Sequence, residues 1–142
     1  MKIFNRHERL IAAPPGRIAP LVADFGVIWP AQLAPVPRPR GDRQYDTGLM
    51  IWEEIGRPGA VRAFRVLSPG DLRASHWFEL VPAEGGTLLR HTVEGTATGA
   101  YEQIWPERIE PWHDRILEAL LDNVQSAARR PGPGDPRPRP GG

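Results

Sequence analysis

The chain has 142 residues, of which 40% are hydrophobic, and a formal net charge of +1; this length suits one domain with a real core. It contains no cysteine, which excludes disulfides and thiolate zinc sites. It has no apolar run of about eighteen residues and no signal-peptide pattern at its start, so we expect a cytoplasmic protein without a membrane span.

The charge is unevenly distributed. Residues 129–142 carry four arginines and one aspartate, a net +3, which leaves about −2 for residues 1–128. A mildly acidic body argues against nucleic acid as a partner. The end of the chain, PGPGDPRPRPGG, has too few apolar residues to form a core. We therefore predict one domain over 1–129 and a disordered Pro/Gly/Arg tail over 130–142.

The first third of the chain predicts one strand, short helices and a loop. The segment KIFNRHERLIA (2–12) alternates like a strand, and both of its faces are partly polar, as is typical of a sheet edge. Apolar residues at helical spacing predict a helix over 15–25, and 27–34 is long enough for one or two further helical turns after Pro30. The Pro- and Gly-rich segment 35–48 indicates a loop, with room for a short extended piece.

Four strands and one long helix follow. The strands are predicted at 49–55, 60–67, 72–81 and 87–97, with turn sequences at hairpin spacing between them. The main helix is predicted from Pro111 to Ala128, after a turn and a bend over 105–110, and Trp112 and Ile116 lie on its apolar stripe. This order, without βαβ alternation, predicts an α+β fold with the helix on one face of a curved antiparallel sheet.

The hairpin formed by 72–97 carries His76 and His91, one on each arm. A register that leaves the charged residues outside turns both histidines toward the helix, whereas a slip of one residue would bury Arg90 and Glu94. The inward set on the two arms is then His76, Phe78, Leu80, Leu89, His91 and Val93.

Two interpretations of these histidines compete. Each can be a core residue satisfied by a backbone carbonyl or water, or both can line a cavity and hydrogen-bond a ligand. A metal pair is disfavoured, because no carboxylate is evident nearby, and no metal or cofactor is predicted. Glu54 is placed inward with Trp52, the alternative being a solvated strand-end glutamate. His113, which borders the helix stripe, is expected at the surface or boundary.

Three stretches of the chain carry a family resemblance: KIFNRHERLIAAPPGRIAPLVAD, AFRVLSPGDLRASHWFELVPAEGGTLLRHTVEG and WHDRILEALLDNV. Over roughly residues 2–128 the chain resembles the START-like, or SRPBCC, superfamily, which includes the birch-pollen-allergen, polyketide cyclase/dehydrase and lipid-transport families. The resemblance implies the helix-grip fold, in which six or seven antiparallel strands curve around a long C-terminal helix and leave an apolar cavity between. The sequence itself shows five strands, with a candidate sixth in 36–46.

Three functions fit these observations. The first is the binding of a hydrophobic or aromatic small molecule between sheet and helix. The second is a polyketide cyclase/dehydrase-like enzyme in which His76 or His91 moves protons. The third is an interaction scaffold with a filled cavity.

A cavity of roughly 300 Å³ bordered by either histidine would favour a ligand site. The sequence specifies no catalytic residue, ligand or oligomeric state. The expected ligand-binding residues are Trp52, Phe64, His76, Phe78, His91, Trp112 and Ile116.

Overall fold

The computed structural model describes residues 1–130. These residues form one antiparallel sheet with strand order β1-β7-β6-β5-β4-β3-β2. Most of the tail predicted over 130–142 lies outside the described residues. The seven strands are β1 (Lys2–Ile11), β2 (Arg38–Pro39), β3 (Gln44–Asp46), β4 (Ile51–Ile55), β5 (Arg62–Ser68), β6 (Leu72–Ala83) and β7 (Gly86–Ala97).

The helices follow the predicted order around this sheet. Helices α1 (Pro15–Val22) and α2 (Phe25–Ile28) come after β1, and α3 (Tyr101–Ile104) comes after β7. A π-helical segment (Trp105–Ile109) connects α3 to the long α4 (Glu110–Arg129). The α+β class and the helix-grip arrangement are therefore confirmed. None of the described helices is long and apolar enough to cross a membrane.

The count of five strands was too low. The segment 36–46 contributes two strands, β2 and β3, which have two and three residues. Strands this short do not complete enough alternations to give a periodic signal in the sequence. Pro39 lies in β2, at the edge of the sheet, where a missing N–H leaves no gap in the hydrogen bonding.

Two helix boundaries differ from the prediction. The first helix ends at Val22, and Asp24 then begins α2 by accepting a hydrogen bond from the Gly26 amide at 3.0 Å. The extra helical turn therefore precedes Pro30. The bend predicted over 105–110 is a π-helical segment, in which the Glu110 amide donates to the Trp105 carbonyl. Pro111 has no amide hydrogen, so it cannot donate the next α-helical hydrogen bond. Hydrogen bonds that span five residues, as in a π-helix, are therefore compatible with this part of the sequence.

The predicted register of the hairpin is confirmed. His76 pairs with Val93, Phe78 with His91 and Leu80 with Leu89. β1 lies at one edge of the sheet, as its mixed faces indicated.

Two groups of buried side chains hold α4 against the sheet, one toward each end of the helix. The first joins α1, α2 and the second half of α4 to the sheet, and the second joins the π segment to the opposite end of the same strands. The first cluster is Ile11, Ala13, Ile18, Val22, Ile28, Phe78, Leu89, Leu120, Leu121, Val124 and Ala128. The second cluster is Ile3, Leu72, Ala74, Val93, Ala97, Trp105 and Ile109.

The close packing of β6 and β7 gives a test of this register. A Cβ atom at Gly95 would touch the Arg73 carbonyl oxygen and lie 2.5 Å from the Ala74 Cα. The backbone atoms of a central strand cannot move away without breaking the hydrogen bonds between β6 and β7.

We expect Gly95→Ala to lower the free energy of unfolding by about 3 kcal/mol, measured by urea denaturation. Gly56→Ala is the matched control, because a Cβ there meets nothing within 4 Å, and it should change stability by less than about 0.5 kcal/mol. Equal effects of the two substitutions would contradict the register.

Candidate functional site

A cavity of about 100 Å³ lies between the sheet and α4, in the gap between the two core clusters. It falls below the roughly 300 Å³ that is typical of pockets for drug-sized ligands, but it is not filled. The structure places all seven sequence-predicted residues on its wall: Trp52, Phe64, His76, Phe78, His91, Trp112 and Ile116.

Aromatic rings make up much of the wall. The ring of His76 lies 4.4 Å from that of Trp52 and stacks on Phe64 at 5.2 Å, measured between centroids. The ring of His91 lies 4.7 Å from that of Phe78. Each imidazole is therefore fixed by a neighbouring aromatic side chain, which limits its freedom to rotate.

His113 also lines the cavity, although the sequence placed it at the surface or boundary. Its ring centroid lies 5.6 Å from that of His91 and 6.0 Å from that of His7 on β1. The ring centroid of His76 lies 5.6 Å from that of His91. The rings of His76, His91, His113 and His7 therefore form a continuous row, in that order. The signal in the sequence was the four-residue spacing of Ile109, His113 and Leu117, which puts His113 on the buried stripe.

Four polar atoms around the cavity are buried without a hydrogen-bond partner among residues 1–130. A buried polar atom of this kind costs about 1–3 kcal/mol when unpaired, and native proteins contain few of them. No backbone carbonyl of the described residues therefore pairs these imidazole nitrogens, so their partner is either water, as the core interpretation allows, or a ligand. The four atoms are Trp52 Nε1, His76 Nε2, His91 Nδ1 and His113 Nδ1.

Burial keeps these imidazoles uncharged. Burial, aided by the charges of His113 and Arg62, lowers the pKa of His76 to about 3. Burial and the neighbouring histidines also hold the pKa of His91 well below its ordinary value. For His113, burial and the nearby His7 lower the pKa to about 4, against the opposing effect of Asp114. At neutral pH each ring therefore offers one N–H donor and one nitrogen acceptor.

Arg62, the one buried arginine among residues 1–130, forms an ion pair with Glu54. Glu54 is 35% exposed, and its Oε2 accepts from Arg62 Nε at 3.3 Å and not from a histidine. Arg62 also donates to the Val22 carbonyl at 3.1 Å and lies 4.1 Å from the centre of the Phe25 ring. No pattern in the sequence indicated that Arg62 would be buried, since an arginine in an alternating strand usually faces water. Neither charge is free to bind an ionic ligand.

Comparisons with known proteins bear on the fold. No protein-family profile matches the chain, and no curated protein matches it. Solved structures do match, including the di-domain ARO/CYC protein BexL of the BE-7585A biosynthetic pathway, with 12% identity over 92% of this chain and 51% of BexL and a TM-score of 0.66.

Two further matches span nearly all of the solved chain. A START superfamily protein from Mycobacterium smegmatis is 15% identical over 89% of this chain and 96% of that chain, with a TM-score of 0.56. The Zhui aromatase/cyclase from Streptomyces sp. R1128 is 14% identical over 90% and 92%, with a TM-score of 0.55. Identities this low concern the fold alone, and they confirm the START-like resemblance at that level.

The lowered histidine pKa values predict how stability depends on pH. The pKa of His76 is 6.5 when unperturbed and about 3 in the folded protein. Below pH 6.5 the unfolded chain therefore gains a proton that the folded chain does not, and the free energy of unfolding falls. His76→Phe removes this term. Between pH 6.5 and 5, the wild type should lose about 2 kcal/mol more stability than the variant.

Urea denaturation of both proteins at several pH values measures this difference. A packing change in the variant shifts its whole curve but leaves the slope against pH unaltered, so the slope isolates the titration. Parallel curves for the two proteins would show that His76 is accessible to protons in the folded state.

Proposed function

We propose that the protein binds a small, uncharged aromatic molecule in the cavity between the sheet and α4. The observation that carries this proposal is the set of unpaired polar atoms on Trp52, His76 and His91 in an otherwise apolar wall. A few polar groups converging in an apolar cavity is the usual design of a small-molecule site. A ligand hydroxyl or carbonyl would supply the missing hydrogen bonds.

The charge state of the wall favours a neutral ligand. The three imidazoles are uncharged at neutral pH, because burial lowers the pKa of each. Arg62 is bound by Glu54 and by the Tyr45 hydroxyl group, which lies 3.1 Å from Arg62 Nη2. A carboxylate or ammonium group entering the cavity would lose its hydration without gaining an opposite charge, which costs several kcal/mol.

The volume excludes ligands larger than a single ring unless the wall moves. An apolar cavity of about 150 Å³ accommodates benzene, and this one measures about 100 Å³. A lipid chain would not fit without movement of the wall, so lipid transport is less well supported than aromatic binding. Leu49, beside the cavity and 49% exposed, lies in the segment whose displacement would admit a larger ligand.

Catalysis by these histidines is less well supported than binding. Two of the solved structures of similar fold are described as ARO/CYC or aromatase/cyclase proteins, which keeps a cyclase-like reaction as the alternative. However, general acid–base catalysis works best when the pKa lies near the operating pH. Burial lowers the pKa of His76 to about 3, so this imidazole binds protons too weakly to be an effective base.

Three small probes test the proposed ligand class. We expect phenol to bind with a Kd of about 0.1–1 mM, which is ordinary for a ligand of this size. Toluene, which lacks the hydroxyl, should bind about tenfold more weakly, and benzoate should not bind measurably. Binding is followed by tryptophan fluorescence, since Trp29, Trp52, Trp105 and Trp112 line the cavity, and by calorimetry.

Two variants then locate the bound probe. Ala74→Leu extends a side chain into the cavity and should abolish phenol binding, whereas His91→Phe keeps a ring and removes the polar atoms, so phenol should bind no better than toluene. Leu67→Ala, at an exposed position away from the cavity, is the control and should bind phenol as the wild type does. Phenol binding that survives Ala74→Leu would place the ligand elsewhere and overturn the proposal.

A further inference from the structure

A second cluster of polar side chains lies where β1 faces α4. His7 on β1 and His113 and Asp114 on α4 each offer a metal-ligating atom, and these atoms all lie within 4.8 Å of one another. His7 Nε2 is 2.8 Å from Asp114 Oδ1, and His113 Nδ1 is 3.9 Å from the same oxygen.

We propose that His7, His113 and Asp114 bind a divalent transition-metal ion, with zinc as the best match. Two imidazole nitrogens and one carboxylate oxygen are ligands that zinc accepts in proteins. Three protein ligands leave at least one coordination position open for water or another oxygen ligand. The metal site uses His113 Nδ1, which lies 3.9 Å from Asp114 Oδ1, so the proposed aromatic ligand would pair the other three unpaired atoms of the wall, on Trp52, His76 and His91.

The surroundings of the cluster have the features of an outer ligand shell. His7 Nδ1 lies 2.7 Å from Glu118 Oε2, so a proton held on Nδ1 leaves the lone pair of Nε2 directed at the cluster. Asn5 Nδ2 donates to Asp114 Oδ1 at 2.8 Å, which fixes that carboxylate. Carboxylate–histidine and amide–carboxylate contacts of this kind orient ligands in known metal sites.

An ion pair alone leaves one part of this arrangement unexplained. His7 is already held between Asp114 and Glu118, and this contact does not need His113. Yet His113 Nδ1 is buried there without a hydrogen-bond partner among residues 1–130. This nitrogen lies 3.9 Å from Asp114 Oδ1, so its lone pair can reach an ion that the carboxylate holds. A metal ion would occupy that lone pair.

The geometry requires only side-chain movement. Zinc bonds of about 2.0–2.1 Å place tetrahedral ligand atoms about 3.3 Å apart, so the more widely spaced pairs must approach by about 1 Å. Side-chain rotations of His113 and Asp114 can supply this, while β1 and α4 hold the backbone in place. The Asp114 side chain is 44% exposed, which gives an ion a path from solvent.

Titration of the untagged, full-length protein with ZnCl₂ in a calorimeter tests the proposal. We expect one ion per chain with a Kd of about 1 µM or tighter. His113→Gln and Asp114→Asn each remove a ligand and should weaken binding at least a hundredfold, and Glu118→Gln should weaken it by about tenfold or more. Asp122→Asn is the matched control, because it removes an exposed carboxylate of the same helix that pairs with Arg9 and lies outside the cluster, and it should leave zinc binding unchanged.

Circular dichroism confirms that each variant is folded before titration, and Asp114→Asn gives an independent test if His113→Gln does not fold. Cobalt absorption bands typical of nitrogen and oxygen ligands should appear in the wild type and disappear in Asp114→Asn. Wild-type binding weaker than about 1 mM, or equal zinc affinity in the wild type and in the folded ligand variants, would overturn the proposal and leave the cluster as an ion pair between β1 and α4.

Discussion

The register between β6 and β7 is the constraint on which the cavity depends. Side chains alternate along each strand, so a register that pairs His76 with Val93 and Phe78 with His91 fixes which side chains face α4. Gly95 secures this register, because any larger residue there would strike the backbone of β6. A slip of one residue would exchange the aromatic and imidazole wall for arginine and glutamate.

The helix supports the cavity by packing against the sheet on both sides of it, while the middle of α4 packs through Ile116 and Leu117 against Ala34. One cluster joins α1, α2 and the second half of α4 to the sheet, and another joins the π segment to the opposite end of the sheet. A polar row on β1 completes the attachment, since Asn5, His7 and Arg9 meet carboxylates spaced four residues apart on α4. With α4 held at both ends and along one side, the middle of the sheet keeps space that side chains do not fill.

Much of the fold and the cavity wall could be predicted from the sequence, because both follow from periodicity. Alternation in 49–55, 60–67 and 72–97 and the helical stripe of 109–124 place seven residues on the cavity wall. His113 lies at the boundary that the sequence indicated, with its side chain 19% exposed, and what the sequence did not show is that its ring reaches the cavity and His7 on β1. Strands β2 and β3 were too short to produce a pattern. The contact between His7 and Asp114 joins residues 107 positions apart, and no local pattern in the sequence indicates it.

The same burial that makes the histidines poor bases makes them good recognition groups. A neutral imidazole in a dry wall carries a donor and an acceptor at fixed positions, and hydrogen bonds formed there are stronger than in water because the local dielectric is low. Leaving these groups unpaired costs stability, and a ligand that pairs them recovers this cost as binding energy. Moving a proton onto His76 would require overcoming the desolvation that lowers its pKa to about 3. The energetics of this wall therefore favour holding a neutral molecule over transforming it.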